Sequence, residues 1–135
     1  MSDKIHLKVI THEKIVFEDD IDELYVQASD GRMGILKNHI PVISTLGIGV
    51  AKVVQGKEAQ CITIMGGILQ FAHNKATILT DIAELECDID IARAKHAQER
   101  AEARIRAQED NLDITRAQMA LAKAIARIDA KEKRF

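Results

Sequence analysis

The stretch CDIDIARA, residues 87–94, divides this chain of 135 residues into two parts of different composition. All seven glycines and the single proline precede it, and none follows it. An aspartate can cap the first amides of a helix and its charge suits the positive end of the helix dipole, so Asp88 and Asp90 are both candidate N-caps. The stretch therefore predicts that a helical segment follows a β-rich one.

Before this stretch, apolar and polar residues alternate or cluster as they do in buried and half-buried strands. The predicted strands are residues 5–9, 24–28 (after the acidic residues 18–23), 42–54, 61–65, 67–72 and 75–80. Turn-forming residues separate the later strands at residues 55–57, Gly66-Gly67 and His73-Asn74. Gly47 and Gly49 predict a bend that lets the longest strand turn between two sheets. Short strands punctuated by turns favour a sandwich or a barrel over residues 1–86.

After this stretch, two apolar stripes recur at helical spacing. The first contains Ile91, Ala94, Ala101 and Ile105, interrupted by Gln98, and the second contains Ile114, Ala117, Leu121, Ala124 and Ile128. Residues 110–113 (DNLD) offer a turn and a new N-cap, which predicts an antiparallel two-helix hairpin over residues 87–135. The fold class is therefore α+β.

The predicted hairpin is weakly held, because its seam is built largely from alanine. Each buried CH₂ contributes about 0.8 kcal/mol, so an alanine contributes far less than the leucine of an ordinary bundle. Alanine, glutamate, lysine, arginine and glutamine nevertheless favour helix strongly, and each helix should persist when the hairpin separates from its neighbours. Such an arm can act as a switch.

Composition argues against several classes of function. The formal charge is -2 and aromatic residues make up 3% of the chain, which leaves no broad basic surface and few stacking platforms for nucleic acid. Cys61 and Cys87 are too few and too far apart for a zinc site or a disulfide framework, and we expect reduced thiols and no metal. No signal segment and no apolar run of about 20 residues is present, so any membrane association should depend on partners.

The segment GRMGILKNHIP, residues 31–41, combines a turn, a short apolar strand and an exposed loop. His39 has no cysteine or second histidine nearby in the sequence, and a structural role is favoured over a catalytic one. Gly66-Gly67 lacks the context of a phosphate-binding loop, which favours a tight turn there. Residues 31–41, Met65-Gly66-Gly67 and the helical opening at residues 89–94 occur in this order along the chain.

With these motifs, the chain resembles the epsilon-subunit family of bacterial F-type ATP synthases over essentially its whole length. The resemblance implies a ten-stranded β-sandwich that contacts the gamma subunit and the ring of c subunits. The implied contact loop contains Gly31, Arg32, Met33, Lys37, Asn38 and His39, with Lys37 standing where relatives often have proline. The resemblance also implies a hairpin that inhibits ATP hydrolysis when it extends toward the alpha and beta subunits. The basic residues implied in this inhibitory arm are Arg116, Lys123, Arg127, Lys131, Lys133 and Arg134.

A possible phosphate-binding face lies on the first helix. Asp90, Arg93 and Arg100 can project from one side, where two guanidinium groups could bind phosphate oxygens. Spacing alone favours a solvated face with pairs such as Asp90 with Arg93, Lys95 with Glu99, and Glu102 with Arg106. The family resemblance shifts this balance, because some epsilon subunits bind ATP through an I/L-D-x-x-R-A sequence that residues 89–94 match. The implied nucleotide contacts are Glu84, Asp90, Arg93, Arg100, Lys123 and Arg127, with Lys123 replacing a frequent arginine.

The favoured interpretation is a non-catalytic rotor subunit at the cytoplasmic face of the bacterial cell membrane. It would require no cofactor, and ATP would be a regulatory ligand. One alternative is a free-standing ATP sensor that joins no rotary complex. Another is an enzyme, although no nucleophile, base and orienting group occur in a recognisable pattern.

Overall fold

The computed structural model describes residues 4–107 and 114–133. In these residues the strands are β1 (Ile5–Ile10), β2 (Ile15–Ile21), β3 (Glu23–Ala28), β4 (Gly31–Leu36), β5 (Val42–Gln55), β6 (Glu58–Ala72), β7 (Lys75–Leu79) and β8 (Ala83–Leu85). A 3₁₀ turn at Glu86–Asp88 leads to helices α1 (Ile91–Ala107) and α2 (Ile114–Lys131). The described residues therefore contain eight strands rather than the expected ten. The predicted turn at residues 110–113 and Arg134 lie outside the described residues.

The strands form a β-sandwich from one hydrogen-bonded sheet, in the order β2-β1-β7-β6-β5-β3-β4 with β8 on β6. β1 and β7 pair in parallel, and the other neighbours pair antiparallel. Alternate side chains of the strands point inward and form one core. The predicted faces of β1 and β3 are confirmed, because Ile5, Leu7 and Val9 and the inward residues of β3 are buried.

Strand β2 was not predicted, because its acidic residues resemble a connecting segment. In the structure it is an edge strand, and its Glu18 and Asp20 carboxylates face His6 of β1. The two ring nitrogens of His6 lie 3.0 Å from Asp20 Oδ1 and 2.9 Å from Glu18 Oε2. These two hydrogen bonds raise the pKa of His6 above its usual value. Ile21, at the end of β2, is fully buried and anchors the strand to the core.

The expected tight turn at Gly66-Gly67 is wrong, since β6 runs through both glycines as one strand. Their φ angles are 81° and 132°, so the strand bends here through conformations that favour glycine. A Cβ on Gly67 would overlap the carbonyl oxygen of Leu79. In β5, Leu46 pairs with Gly67 and Ile48 pairs with Met65. Gly47 lies between them, so β5 follows the bend of β6, as predicted from Gly47.

Candidate functional site

The hairpin is docked on the β-sandwich through α2, which lies between α1 and strands β5 and β6. Asp90 is the N-cap of α1, because its Oδ1 accepts a hydrogen bond of 3.1 Å from the Arg93 backbone N–H. The alanines of both predicted stripes are buried, whereas Ile114 is exposed. Ala126 and Ala130 form a second buried strip that was not predicted. Helix α2 therefore has two packed sides.

Three of the expected nucleotide contacts meet on α1. Asp90, Arg93 and Arg100 line one shallow, open depression together with His96 and Glu99. The two arginines stand two helical turns apart, about 10.5 Å along the axis. The expected ion pair of Asp90 with Arg93 is instead a cap to the backbone, which leaves the Arg93 side chain exposed at the depression. This face can hold phosphate oxygens at its two guanidinium groups, with Glu99 as an opposing charge.

Glu84 and Arg127 form an ion pair that joins β8 to α2. Arg127 Nε donates to Glu84 Oε1 at 2.6 Å, and both side chains are about two-thirds buried, with 30% and 29% exposure. A nucleotide phosphate would therefore compete with Glu84 for the Arg127 guanidinium. Lys123 lies one helical turn before Arg127 and is half-buried. The six expected nucleotide contacts therefore fall into two groups. Asp90, Arg93 and Arg100 lie on one face of α1, whereas Glu84, Lys123 and Arg127 lie where α2 meets β8.

The basic residues expected in an inhibitory arm divide between solvent and the β-sandwich in this docked state. Arg116 is exposed on α2. Lys131 Nζ donates to the Glu86 carbonyl oxygen at 3.1 Å, and Lys133 Nζ lies 3.9 Å from Glu86 Oε2. Together with Arg127, these lysines connect the C-terminal end of the hairpin to β8 and to the 3₁₀ turn that follows it.

Only part of the expected contact loop is a loop. Gly31, Arg32 and Met33 belong to β4, an edge strand paired with β3, so their assignment to a loop is wrong. Gly31 and Gly34 resemble turn residues in the sequence. In the structure Gly34 lies against the Tyr25 ring, and a Cβ at this position would overlap that ring. Lys37, Asn38 and His39 follow the strand and do lie in the connection to β5.

This connection is fixed at two points. Asn38 N–H donates to Asn74 Oδ1 at 2.6 Å, and Asn74 Nδ2 donates back to Asn38 Oδ1 at 3.1 Å. His39 Nδ1 lies 2.7 Å from the Ile40 carbonyl oxygen, and its ring meets Phe71 edge-on at 5.8 Å. These contacts give His39 a structural role, as expected. Ile40 and Ile43, which are 75% and 74% exposed, remain at the surface beside this fixed loop.

An apolar row that was not predicted from the sequence lies on the outer face of the sheet. Ile10 is aligned with Ile15 on one side and with Leu79 on the other, and Leu79 is aligned with Ile68. Ile15, Leu79 and Ile68 are exposed. Each of these residues is visible as an outward apolar position in its strand, but only the strand register brings them together. We call Ile10, Ile15, Ile68 and Leu79 the outer row.

Over residues 4–107 and 114–133, no group of three or more histidine, cysteine, aspartate or glutamate side chains is arranged to hold a metal ion. Neither of the helices in this part of the chain is long and apolar enough to cross a membrane. The two cysteines are free thiols, with Cys61 buried and Cys87 exposed.

Comparison with protein families gives two matches. The model of the ATP synthase delta/epsilon chain beta-sandwich domain matches residues 4–86, and that of its long alpha-helix domain matches residues 88–132. The ATP synthase epsilon chain of Pediococcus pentosaceus is 43% identical over 101 residues, which are 74% of this chain and 73% of that one. The epsilon chain of Symbiobacterium thermophilum is 42% identical over 106 residues, 78% and 76% of the two chains.

Comparison with solved structures concerns the fold alone, because the sequence identities are low. A chain in the cryo-EM structure of the Euglena gracilis mitochondrial ATP synthase, OSCP/F1/c-ring, superposes with a TM-score of 0.81 at 20% identity, covering 93% of this chain and 80% of that one. A chain from the Tetrahymena thermophila mitochondrial ATP synthase central stalk and c-ring gives a TM-score of 0.57 at 15% identity, covering 96% and 95%.

Proposed function

Because the chain belongs to the delta/epsilon chain family of ATP synthase, as an epsilon chain, we propose that it is a non-catalytic rotor subunit whose hairpin brakes ATP hydrolysis. The β-sandwich, residues 1–86, joins the gamma subunit to the ring of c subunits. The hairpin, residues 87–135, extends toward the alpha and beta subunits when it inhibits. The complex holds the chain at the cytoplasmic face of the bacterial cell membrane.

The observation that carries this proposal is the outer row, an apolar surface that the fold leaves uncovered. Aliphatic side chains that lie in register across four strands, and are exposed on three of them, are typical of a protein interface. We assign the outer row to the gamma subunit. The fixed loop at Lys37, Asn38 and His39, with Ile40 beside it, is assigned to the c ring, because its rigidity suits a contact that transmits torque.

The hairpin suits a brake because its attachment to the β-sandwich is small. The apolar cluster shared by α2 and the β-sandwich contains Val50, Cys61, Ile89 and Ala130. Next to this cluster, a cleft separates α2 from β5 and is lined by Ile48, Val50, Ala122 and Ala126. The facing surfaces of α2 and β5 are therefore incompletely packed. Small residues over an unfilled cleft contribute little burial energy. Helices α1 and α2 can therefore leave together.

ATP acts in this proposal as a ligand of the docked hairpin. Arg93 and Arg100 on α1 supply hydrogen-bond donors for the phosphate oxygens. Arg127 on α2 supplies a further donor if its ion pair with Glu84 is replaced by a contact to phosphate. A ligand that contacts both helices in their docked arrangement favours that arrangement only by its difference in affinity between the two states. Bound ATP would thus oppose the brake.

The rotor assignment is tested by association with a purified alpha-beta-gamma core. We expect both the full chain and a version that ends at Glu86 to co-elute with the core in size-exclusion chromatography. Ile68→Lys should weaken this association, since it places a charge in the outer row. Ile114→Lys is the matched control, because Ile114 on α2 is similarly exposed, 48% against 43%, but lies outside the row. No association by either version would favour a free-standing ATP sensor.

The ATP site gives a separate prediction. Arg93→Gln should lower the affinity for ATP about tenfold, because a hydrogen bond to a charged phosphate is lost. Isothermal titration calorimetry of the isolated full chain measures this effect. Arg106→Gln removes the same charge from α1 at a position outside the depression and should leave the affinity unchanged. Equal losses for the two variants would show that only the overall charge of α1 matters.

A further inference from the structure

Glu86 contacts both strand β6 and the C-terminal end of the hairpin. Its Oε1 accepts a hydrogen bond of 3.0 Å from the Cys61 backbone N–H, and its Oε2 lies 3.9 Å from Lys133 Nζ. Its carbonyl oxygen accepts a bond of 3.1 Å from Lys131 Nζ. The Glu86 side chain is only 16% exposed, so its charge is screened less than that of a surface carboxylate. One residue of the β-sandwich therefore faces two cations of the hairpin.

The backbone of Lys133 is arranged for this contact. Its φ is +56°, a left-handed conformation that residues other than glycine adopt at a cost. Its N–H donates to the Ala130 carbonyl oxygen at 3.2 Å, which closes the end of α2. From this turn the amine reaches both Glu86 and the Ala59 carbonyl oxygen, the latter at 3.4 Å.

The Cys61 thiol lies beneath this end of α2. Cys61 is 3% exposed and shares a buried cluster with Ala130, which is fully covered. Burial raises the pKa of the Cys61 thiol, and the charge of Glu86 raises it further, whereas Lys133 lowers it. The thiol is therefore both covered and weakly ionised in the docked state, and it becomes accessible when α2 leaves.

We propose that Glu86, Lys131 and Lys133 form an electrostatic latch that sets the fraction of docked hairpin independently of nucleotide. The latch lies apart from the α1 depression and uses neither Glu84 nor Arg127. Its regulatory meaning rests on the proposed function, in which the docked hairpin is the state that does not inhibit. Because Lys131 and Lys133 also belong to the arm assigned to the alpha and beta subunits, the latch and the inhibitory contact compete for the same cations.

The latch is tested by the rate at which a neutral maleimide modifies Cys61 in the isolated full chain, with Cys87→Ser removing the exposed thiol. Two variants, Glu86→Gln and Lys133→Gln, each break the charge pair. They change the ionisation of the thiol in opposite directions, since Glu86 raises its pKa and Lys133 lowers it. We expect both variants to react about threefold faster, because each loses the Glu86–Lys133 ion pair that keeps the hairpin docked.

Controls separate undocking from other effects. Glu13→Gln removes a carboxylate from the exposed turn between β1 and β2 and should not change the rate. Salt should accelerate the reaction less in Glu86→Gln than in the Cys87→Ser chain, because only the Glu84–Arg127 pair remains to be screened there. Opposite changes in rate for Glu86→Gln and Lys133→Gln, or no change in either, would overturn the latch. The experiment needs no ATP synthase core, so its outcome is independent of the rotor test.

Discussion

Replacing Gly67 by alanine is expected to lower the free energy of unfolding by about 3 kcal/mol, since the change combines backbone strain with a steric overlap. Gly67 has a φ of 132°, and a Cβ there would meet the Leu79 carbonyl oxygen and lie 3.0 Å from Thr80 Cα. Both atoms belong to backbone that cannot move without disturbing β7. Urea unfolding followed by circular dichroism measures the loss.

Gly47→Ala is the matched control for this substitution. Gly47 lies in β5 at the same bend, but its φ is outside the left-handed region and a Cβ would have no atom within 4 Å. We expect Gly47→Ala to change stability little, because the additional methyl group meets open space. Equal destabilisation by the two variants would mean that the bend needs flexibility at both strands rather than close approach at Gly67.

Ending the chain at Glu86 is expected to abolish its inhibition of ATP hydrolysis while leaving its attachment to the core. The full chain should inhibit a purified alpha-beta-gamma core severalfold, because its hairpin can leave the β-sandwich and reach the catalytic subunits. The shortened chain retains the outer row and the fixed loop, so it should bind the same core. A coupled assay of ATP hydrolysis, with increasing amounts of each version, measures the difference.

A matched control for this truncation keeps the helices and changes only their charge. Arg116→Gln removes one cation from the exposed part of α2, away from the contacts to Glu84 and Glu86. It should weaken inhibition partly, in contrast to the complete loss on truncation. Inhibition by the version that ends at Glu86 would assign the brake to the β-sandwich and would refute the proposed role of the hairpin.

Local sequence patterns predicted the elements that depend on a single segment. Alternation identified β1 and β3 because one face of each strand is buried. Asp88 and Asp90 were both candidate N-caps of α1, and the structure selects Asp90. The change from glycine-rich strands to helix formers predicted that helices follow the strands, and α1 begins at Ile91. Each of these features follows from residues within about one strand or helix of each other.

Features that depend on distant residues were missed. Nothing in the acidic sequence of β2 indicates that His6 will face two of its carboxylates, and the pairing makes this segment an edge strand. The two glycines in β6 suggest a turn, but the strand continues because β5 bends with it. The outer row requires the register of four strands, which the sequence of any one strand does not specify.

The candidate site was predicted by residue type but not by arrangement. The α1 face of Asp90, Arg93 and Arg100 follows from helical spacing, and the structure places all three in one depression. Glu84 and Arg127 are 43 residues apart in sequence, and their ion pair arises only when α2 docks. The second buried strip of α2 was hidden because alanines occupy so many positions that no single face stands out.

The central claim is that the hairpin must leave the β-sandwich to inhibit, and a reversible disulfide tests it most directly. Cys61 and Ala130 share one buried cluster, so Ala130→Cys with Cys87→Ser is the variant chosen to lock the hairpin down through a bond to Cys61. We would measure ATP hydrolysis by the alpha-beta-gamma core with this variant bound, first oxidised and then reduced. We expect no inhibition when the variant is oxidised and restored inhibition after reduction. Equal inhibition in both states, with the disulfide verified, would contradict it.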